Sequence, residues 1–313
     1  MPIAILGATS QIARDLILSC STQSGPELHL FARRPEVVRQ WLTAEGMPDR
    51  YPVEDFTRFA QHRWEAVLNF VGIGDPAQAM RLGPALLDIT AQFDGMVLDH
   101  LQHHPDCRYL FLSSGAAYGG PFDAPVTRES PAIFPVNDLS QREFYGVAKL
   151  YAECRHRTHP DWAIVDLRVF SYFSHTQDLS SRFFMADILR AIRDGAVLDT
   201  SPDYIVRDYL HPADFFQLVQ AILTAPASHG ALDCYSRAPI DKPALLAAMQ
   251  EHFGLRYRLT GPMASANATG VKPHYYSLDR RAAAFGYQPG FSSLEGILQE
   301  SAKLVARFQR PVS

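Results

Sequence analysis

Ile3-Ala4-Ile5-Leu6-Gly7-Ala8-Thr9-Ser10-Gln11-Ile12-Ala13 is the stretch that decides the fold. Four consecutive apolar residues read as a strand buried on both faces, and from Ile12 to Cys20 the apolar positions change to helical spacing. Gly7 at the changeover permits a tight turn, and the first helical turn leaves backbone N–H groups facing outward. Working outward, Leu28–Phe31 is a second strand, Glu36–Leu42 a helix and Val67–Val71 a strand. A long helix follows within Pro84–His103, then a strand at Tyr109–Ser113. Continuous apolar strands separated by helices predict an α/β fold: a Rossmann-like, doubly wound parallel sheet covered on both faces. Ligands in such a fold bind beyond the carboxyl ends of the strands.

After about residue 170 the pattern changes. Ser180–Ile192, Pro212–Leu223, Pro243–Phe253 and Leu294–Phe308 read as helices, separated by irregular stretches rich in Ser, Pro, Tyr and His. This predicts a smaller interleaved C-terminal lobe. Residues 1–170 with about 205–235 form the nucleotide-binding domain, and about 171–204 with 236–313 form the substrate-binding lobe.

The 313 residues, 47% hydrophobic and 20% charged, exclude a disordered chain. A net charge of -4 gives no electrostatic reason to expect nucleic acid or an anionic membrane as partner. Met1-Pro2-Ile3 begins without a basic leader, and no stretch approaches the roughly 18 apolar residues of a membrane helix, so the expected location is the cytoplasm. Cys20, Cys107, Cys154 and Cys234 form no CxxC pair and read as buried small hydrophobes. His100, His103 and His104 read as a solvated helix end before Pro105, so no metal site is expected.

The turn Gly7–Ala13 sets a helix N-terminus where a pyrophosphate can sit, although a generic strand–turn–helix meets the same description. The second strand ends Leu30-Phe31-Ala32-Arg33-Arg34, with two guanidinium groups and no acid. A carboxylate there would bond the ribose diol of NAD. Arginines suit the 2′-phosphate of NADP, and a solvated basic turn before Pro35 is the plainer alternative. Beyond the strand Tyr109–Ser113 comes Ser113-Ser114-Gly115-Ala116-Ala117-Tyr118-Gly119. In the helix-compatible run Phe144–Cys154, Tyr145 and Lys149 are one turn apart on the same face. An adjacent ammonium favours the tyrosinate, which predicts a phenol pKa lowered toward neutrality and a proton exchanged with a substrate oxygen. A Ser hydroxyl at the strand end can bond that same oxygen.

With these segments in place, the chain resembles the extended short-chain dehydrogenase/reductase family, in its nucleotide-sugar epimerase/dehydratase branch. The resemblance also rests on Leu167-Arg168-Val169-Phe170-Ser171, Arg207-Asp208-Tyr209-Leu210-His211-Pro212-Ala213-Asp214 and Phe285-Gly286-Tyr287-Gln288-Pro289. It implies a cofactor site at Gly7, Thr9, Ser10, Gln11, Ile12, Arg33, Arg34 and Lys149. Ser114 is then the catalytic hydroxyl, Tyr145 the acid/base and Lys149 its activator, with Ser113 supporting. Arg207 contacts the substrate diphosphate, and Ser171 takes the place of an Asn that contacts phosphate in many relatives. The family's usual glycines at positions 7, 10 and 13 reduce here to Gly7. Lys272-Pro273-His274-Tyr275 replaces an Arg-Pro-Gly-Asp-like stretch that grips the nucleotide.

Dehydratases of this branch carry Asp-Glu after the catalytic Thr, and epimerase–reductases for GDP-sugars carry Cys after the catalytic Ser; here Gly115-Ala116 follows Ser114. His175, near the position of the latter enzymes' His, reads as a pocket-wall or solvated residue. The resemblance together with Arg33 and Arg34 implies an NADPH-dependent reductase of a keto-sugar nucleotide, such as an NDP-4-keto-6-deoxyhexose. The alternatives are an NAD-dependent nucleotide-sugar 4-epimerase and a non-catalytic NADP-binding regulatory protein. Relatives dimerise through the long helix and the Tyr145–Lys149 helix, which implies a homodimer. Leu86, Leu98, Leu101 and Leu150 fit that contact and fit packing within one subunit equally well.

Overall fold

Alternation along β1 (Ile3–Leu6) sends Ile3 and Ile5 into the core on one face of a sheet, and Ala4 and Leu6 into the core on the other. The computed structural model describes residues 2–22, 25–72, 79, 81–261 and 272–308. From β1 the chain turns into α1 (Gln11–Thr22), followed by β2 (Leu28–Phe31), α2 (Pro35–Ala44), β3 (Val53–Glu54) and β4 (Ala66–Asn69). Next come α3 (Ala85–His103), β5 (Arg108–Ser114), α4 (Phe144–Arg157), β6 (Ile164–Val169), β7 (Ser171–Tyr172) and α5 (Phe184–Asp194). The remainder is β8 (Val197–Thr200), β9 (Val206–Arg207), β10 (Tyr209–Leu210), α6 (Pro212–Thr224), β11 (Gly230–Asp233), β12 (Ile240–Asp241), α7 (Lys242–Phe253), β13 (Arg256–Leu259), β14 (His274–Tyr275) and α8 (Ser293–Phe308).

The main sheet has the order β11-β6-β5-β4-β1-β2-β3 with every pair parallel. The order reverses between β1 and β4, which opens a crevice over their carboxyl ends. One face packs Leu16 and Ile17 of α1, Val38 and Leu42 of α2, and Phe215, Leu218 and Val219 of α6. The other packs Val97, Leu98 and Leu101 of α3 and Ala152 of α4, with Phe59 and Trp64. Burial of each such large side chain contributes roughly 1.5–3 kcal/mol. A separate cluster built from α5, α7 and α8, including Ile188, Leu189, Leu246, Met249, Ile297 and Leu304, forms the core of the C-terminal part.

The doubly wound fold expected from the sequence is present, with instructive departures. The strand expected over Val67–Val71 ends at Asn69, whose side chain donates to the Tyr109 hydroxyl and accepts from the Val71 N–H, turning the chain off the sheet. The helix expected from Ser180 begins at Phe184, because Asp178 holds Ser180 in a turn through its N–H and its hydroxyl. The two-residue strands β3, β7, β9, β10, β12 and β14 carry no periodicity to read. Cys154 is exposed, unlike the other three cysteines, which are buried. His100 is buried, its ring tilted against His104 at 4.4 Å and Phe59 at 5.2 Å, so the helix end is not wholly solvated. Leu86, Leu98 and Leu101 are buried within the chain itself. No helix among the described residues is long and apolar enough to cross a membrane.

Candidate active site

Gly7 adopts a φ of +78°, and a Cβ there would lie 2.9 Å from the backbone of Phe70 and Val71. Only glycine lets β1 turn this close to the end of β4. The N–H groups of Gly7 and Ala8 donate to the Phe31 carbonyl at 3.0 and 3.1 Å, which ties the turn to the end of β2. Ser10 departs from the family's glycine, but its side chain folds back: its hydroxyl accepts from the Ala13 N–H at 3.3 Å and caps α1. Thr9 is exposed at the tip of the turn, Ile12 is partly buried, and Gln11 donates to the Ser174 hydroxyl at 2.9 Å. Arg33 and Arg34 are both exposed just beyond β2. The turn, the helix N-terminus and the two arginines therefore share the carboxyl edge of adjacent strands. A tight glycine turn beside the N-terminus of α1 fits a dinucleotide pyrophosphate.

Next along the sheet, Ser114 closes β5 and caps the 3-10 turn Gly115–Tyr118, accepting from the Ala116 N–H at 3.2 Å. A Cβ on Gly115 would stand 2.4 Å from the Phe170 ring, and one on Gly146 would stand 2.5 Å from the Ala116 carbonyl oxygen. Gly146 is thus needed for α4 to close onto the turn, and Gly115 for the Phe170 ring to pack against it. That approach sets Tyr145 beside Ser114 and leaves no room for a cysteine at position 115 while Phe170 keeps its place.

Lys149 is 4% exposed and donates to the Leu112 carbonyl at 2.6 Å, its ammonium 4.5 Å from the Phe111 ring and 5.9 Å from the Tyr145 ring. Burial pushes Lys149 down to about 8, against the pull of Glu153, Asp94 and Asp166. Tyr145 departs from expectation. Burial raises its phenol above the ordinary tyrosine value, and only hydrogen bonding with Ser114 opposes the rise. Spacing put the ammonium on the right helical face, but it donates to Leu112 and lies 5.9 Å from the Tyr145 ring, and burial dominates the phenol. At neutral pH Tyr145 is a protonated donor.

A second phenol completes the centre. Tyr275 lies within hydrogen-bond distance of the Ser114 hydroxyl, at 3.2 Å, so that Ser114 faces Tyr145 and Tyr275 together. The Tyr275 ring packs on Phe122 at 4.8 Å and Phe170 at 5.2 Å, with the Arg207 guanidinium 5.6 Å and the Lys272 ammonium 4.8 Å from its centre. Burial and the neighbouring Arg207 push Lys272 down to about 8. Pairing of β9 with β14 creates this cluster by setting Tyr275 opposite Arg207. Sequence reasoning placed Tyr275 only in a stretch that grips nucleotide; the signal available was its departure from the usual residues there.

Arg207 donates to the Lys272 carbonyl at 2.6 Å and to its neighbour Val206 at 2.9 Å. Ser171, on β7, pairs with Tyr209 of β10 and follows Phe170, which touches Tyr275. Both expected substrate residues therefore border the Tyr275 cluster. Ser113 donates to Glu153 at 2.6 Å. His175 is partly exposed, and its N–H and Nδ1 both engage Glu300, at 2.7 and 2.6 Å.

A family model described as NAD dependent epimerase/dehydratase matches residues 3–235. The chain belongs to this family. A UDP-glucose 4-epimerase of Oryza sativa subsp. japonica is 32% identical over 117 residues, which cover 36% of this chain and 27% of that protein. The chain matches less than a third of the length of such curated relatives. Among solved structures, a UDP-glucose 4-epimerase from Stenotrophomonas maltophila, with bound NAD and formylated UDP-arabinopyranose, aligns over 99% of both chains with a TM-score of 0.80 and 16% identity. A dTDP-glucose 4,6-dehydratase from Bacillus anthracis, in complex with NAD, aligns over 98% of this chain and 97% of its own with a TM-score of 0.77 and 12% identity. At those identities the likeness establishes the fold of an epimerase/dehydratase.

Proposed function

We propose that this family member is an NADPH-dependent reductase of a keto-sugar nucleotide, of the NDP-4-keto-6-deoxyhexose type. The observation that carries the reading is the pair Arg33 and Arg34, exposed just beyond β2 where an acid would suit NAD; beside it, Tyr145 faces Ser114, and burial, which raises its phenol, favours the protonated form that reduction of a ketone requires. A nicotinamide held by the Gly7–Ala13 turn would supply the hydride that the carbonyl carbon accepts. Tyr145 delivers the proton to the oxygen as it becomes an alkoxide, and Ser114, held by the Ala116 N–H and facing Tyr275, orients that oxygen. Lys149 fixes the floor of the site through Leu112 and lies where it reaches toward Gly72, beyond β4. Gly7, Thr9, Ser10, Gln11 and Ile12 form the pyrophosphate end of the cofactor site, and Arg33 and Arg34 bind the 2′-phosphate. Arg207 and Ser171 receive the substrate diphosphate, beside Lys272.

A second reading, an NAD-dependent nucleotide-sugar 4-epimerase, draws on the 32% identity to the rice UDP-glucose 4-epimerase. Mass spectrometry of ligands retained by the purified protein, followed by turnover with keto-sugar nucleotides, separates the two. Net NADPH consumption in proportion to alcohol formed supports reduction. Tightly held NAD with isomerised product and no net cofactor consumption overturns it.

A further inference from the structure

Outside this site, one group of side chains is arranged for a ligand that the proposed reaction does not use. His29 on β2, Glu54 at the end of β3 and His62 beyond the 3-10 turn Phe56–Gln61 direct donor atoms at a common point, all lying within 4.8 Å of one another. The His29 Nε2 is 2.9 Å from Glu54 Oε2, and the His62 Nε2 is 3.1 Å from the same oxygen. Tetrahedral zinc with bonds of 2.0–2.1 Å holds its ligand atoms about 3.3 Å apart, so the two contacts to Glu54 need lengthen only slightly to admit an ion.

A second observation points to a ligand. His29 is 8% exposed, and its buried Nε2 lies 2.9 Å from Glu54 Oε2 without the alignment of a hydrogen bond. A metal ion between the two would give each a directed bond. The ring is also fixed in advance. It stacks on Phe31 at 4.8 Å and 7° and meets the edge of Trp64 at 5.2 Å, while His62 packs 5.2 Å from the same Trp64. Glu54 and His62 are partly exposed, and Glu54 lines a surface cleft of about 340 Å³ together with Glu36 and Asp55. The apolar wall thus lies on one side of the group, and its partly exposed members, Glu54 and His62, on the other.

We infer that His29, Glu54 and His62 form a binding site for a divalent transition metal of the zinc type, with water completing the coordination. Its three ligands come from β2, β3 and the segment after the 3-10 turn. The ion clamps the two-residue edge strand β3 onto β2, whose end carries Arg33 and Arg34.

The test uses the full chain, untagged and stripped with a chelator, titrated with Zn²⁺ by calorimetry and with Co²⁺ by visible absorption. One ion binds per chain, Co²⁺ shows the intense bands of a low-symmetry site, and Zn²⁺ raises the melting temperature by about 5 °C. His62→Ala, a change at a partly exposed position, lowers affinity at least tenfold and abolishes the thermal shift while leaving the circular dichroism spectrum intact. Glu54→Gln, which keeps shape and removes charge, lowers affinity similarly. His103→Ala is the control for the histidines at the end of α3 and leaves binding unchanged. Absence of stoichiometric binding, unaltered affinity in His62→Ala, or loss of binding in His103→Ala overturns the assignment.

Discussion

Replacing Tyr145 by phenylalanine removes one oxygen and keeps the ring, so the packing of α4 on the Gly115–Tyr118 turn is preserved. Ser114 retains its Ala116 N–H and its contact with Tyr275, which hold the hydroxyl in place without Tyr145. The loss is therefore confined to proton delivery. General acid catalysis contributes roughly a hundredfold to ten-thousandfold, about 3–5 kcal/mol of transition-state stabilisation. Tyr275→Phe is the internal comparison. It removes a hydrogen bond to Ser114 but no proton donor to substrate, and a net hydrogen bond is worth about 0.5–1.5 kcal/mol, or roughly two- to tenfold in rate. The assay is single-turnover NADPH oxidation with a keto-sugar nucleotide that the native enzyme reduces, beside a fluorescence titration of NADPH binding. Tyr145→Phe should bind NADPH with native affinity and turn over at one per cent or less of the native rate. Activity above a tenth of native, or a larger loss in Tyr275→Phe than in Tyr145→Phe, would refute Tyr145 as donor.

Arg33→Ala should weaken NADPH binding about ten- to a hundredfold and leave NADH nearly unaffected; equal effects in equilibrium titrations would refute the 2′-phosphate assignment. Gly7→Ala meets backbone at 2.9 Å in a left-handed conformation and should cost at least about 1 kcal/mol in urea unfolding, along with dinucleotide binding. His156 supplies a pH test. Burial would lower its pKa, but hydrogen bonds to Asp166 and Asp94 outweigh burial and push it up to about 9. A folded-state value above the unfolded one stabilises fully below about pH 6.5 and is lost as pH rises through about 9, which here amounts to about 3 kcal/mol. Lys149 and Lys272, lowered to about 8, contribute with the opposite sign in the same window, so the test is the difference between the two chains: the native advantage in urea midpoint over His156→Gln should shrink as pH rises from about 6.5 through 9, and a difference constant with pH would contradict it.

The first half of the fold was legible because its strands are buried on both faces and announce themselves as apolar runs. Leu28–Phe31 reads identically in sequence and structure. Helices such as Pro212–Thr224 were legible for the matching reason, a periodic apolar face. The site was readable as far as local spacing reaches: Ser114 at a strand end, and Tyr145 and Lys149 one turn apart. Spacing places an ammonium on a helical face but does not say what it donates to, so the Leu112 contact and the raised phenol were out of reach. Tyr275 and the His29–Glu54–His62 group escaped for another reason. Each depends on pairing of two-residue strands, and a pair of residues has no period. The conflict of Gly115 with Phe170 is likewise a contact between segments distant in the chain.

The ladder joining Val206-Arg207 to His274-Tyr275 has a consequence for how such an enzyme can change. Arg207 and Tyr275 are opposite rungs, so the residue assigned to the phosphates and the phenol that faces the reactive serine move as one piece. Variation in the 272–275 segment that suits a different nucleotide therefore also resets the hydroxyl at Ser114. Selectivity for the handle of the substrate and speed at its sugar are inherited together, and a graft of this segment from another enzyme would carry both traits across.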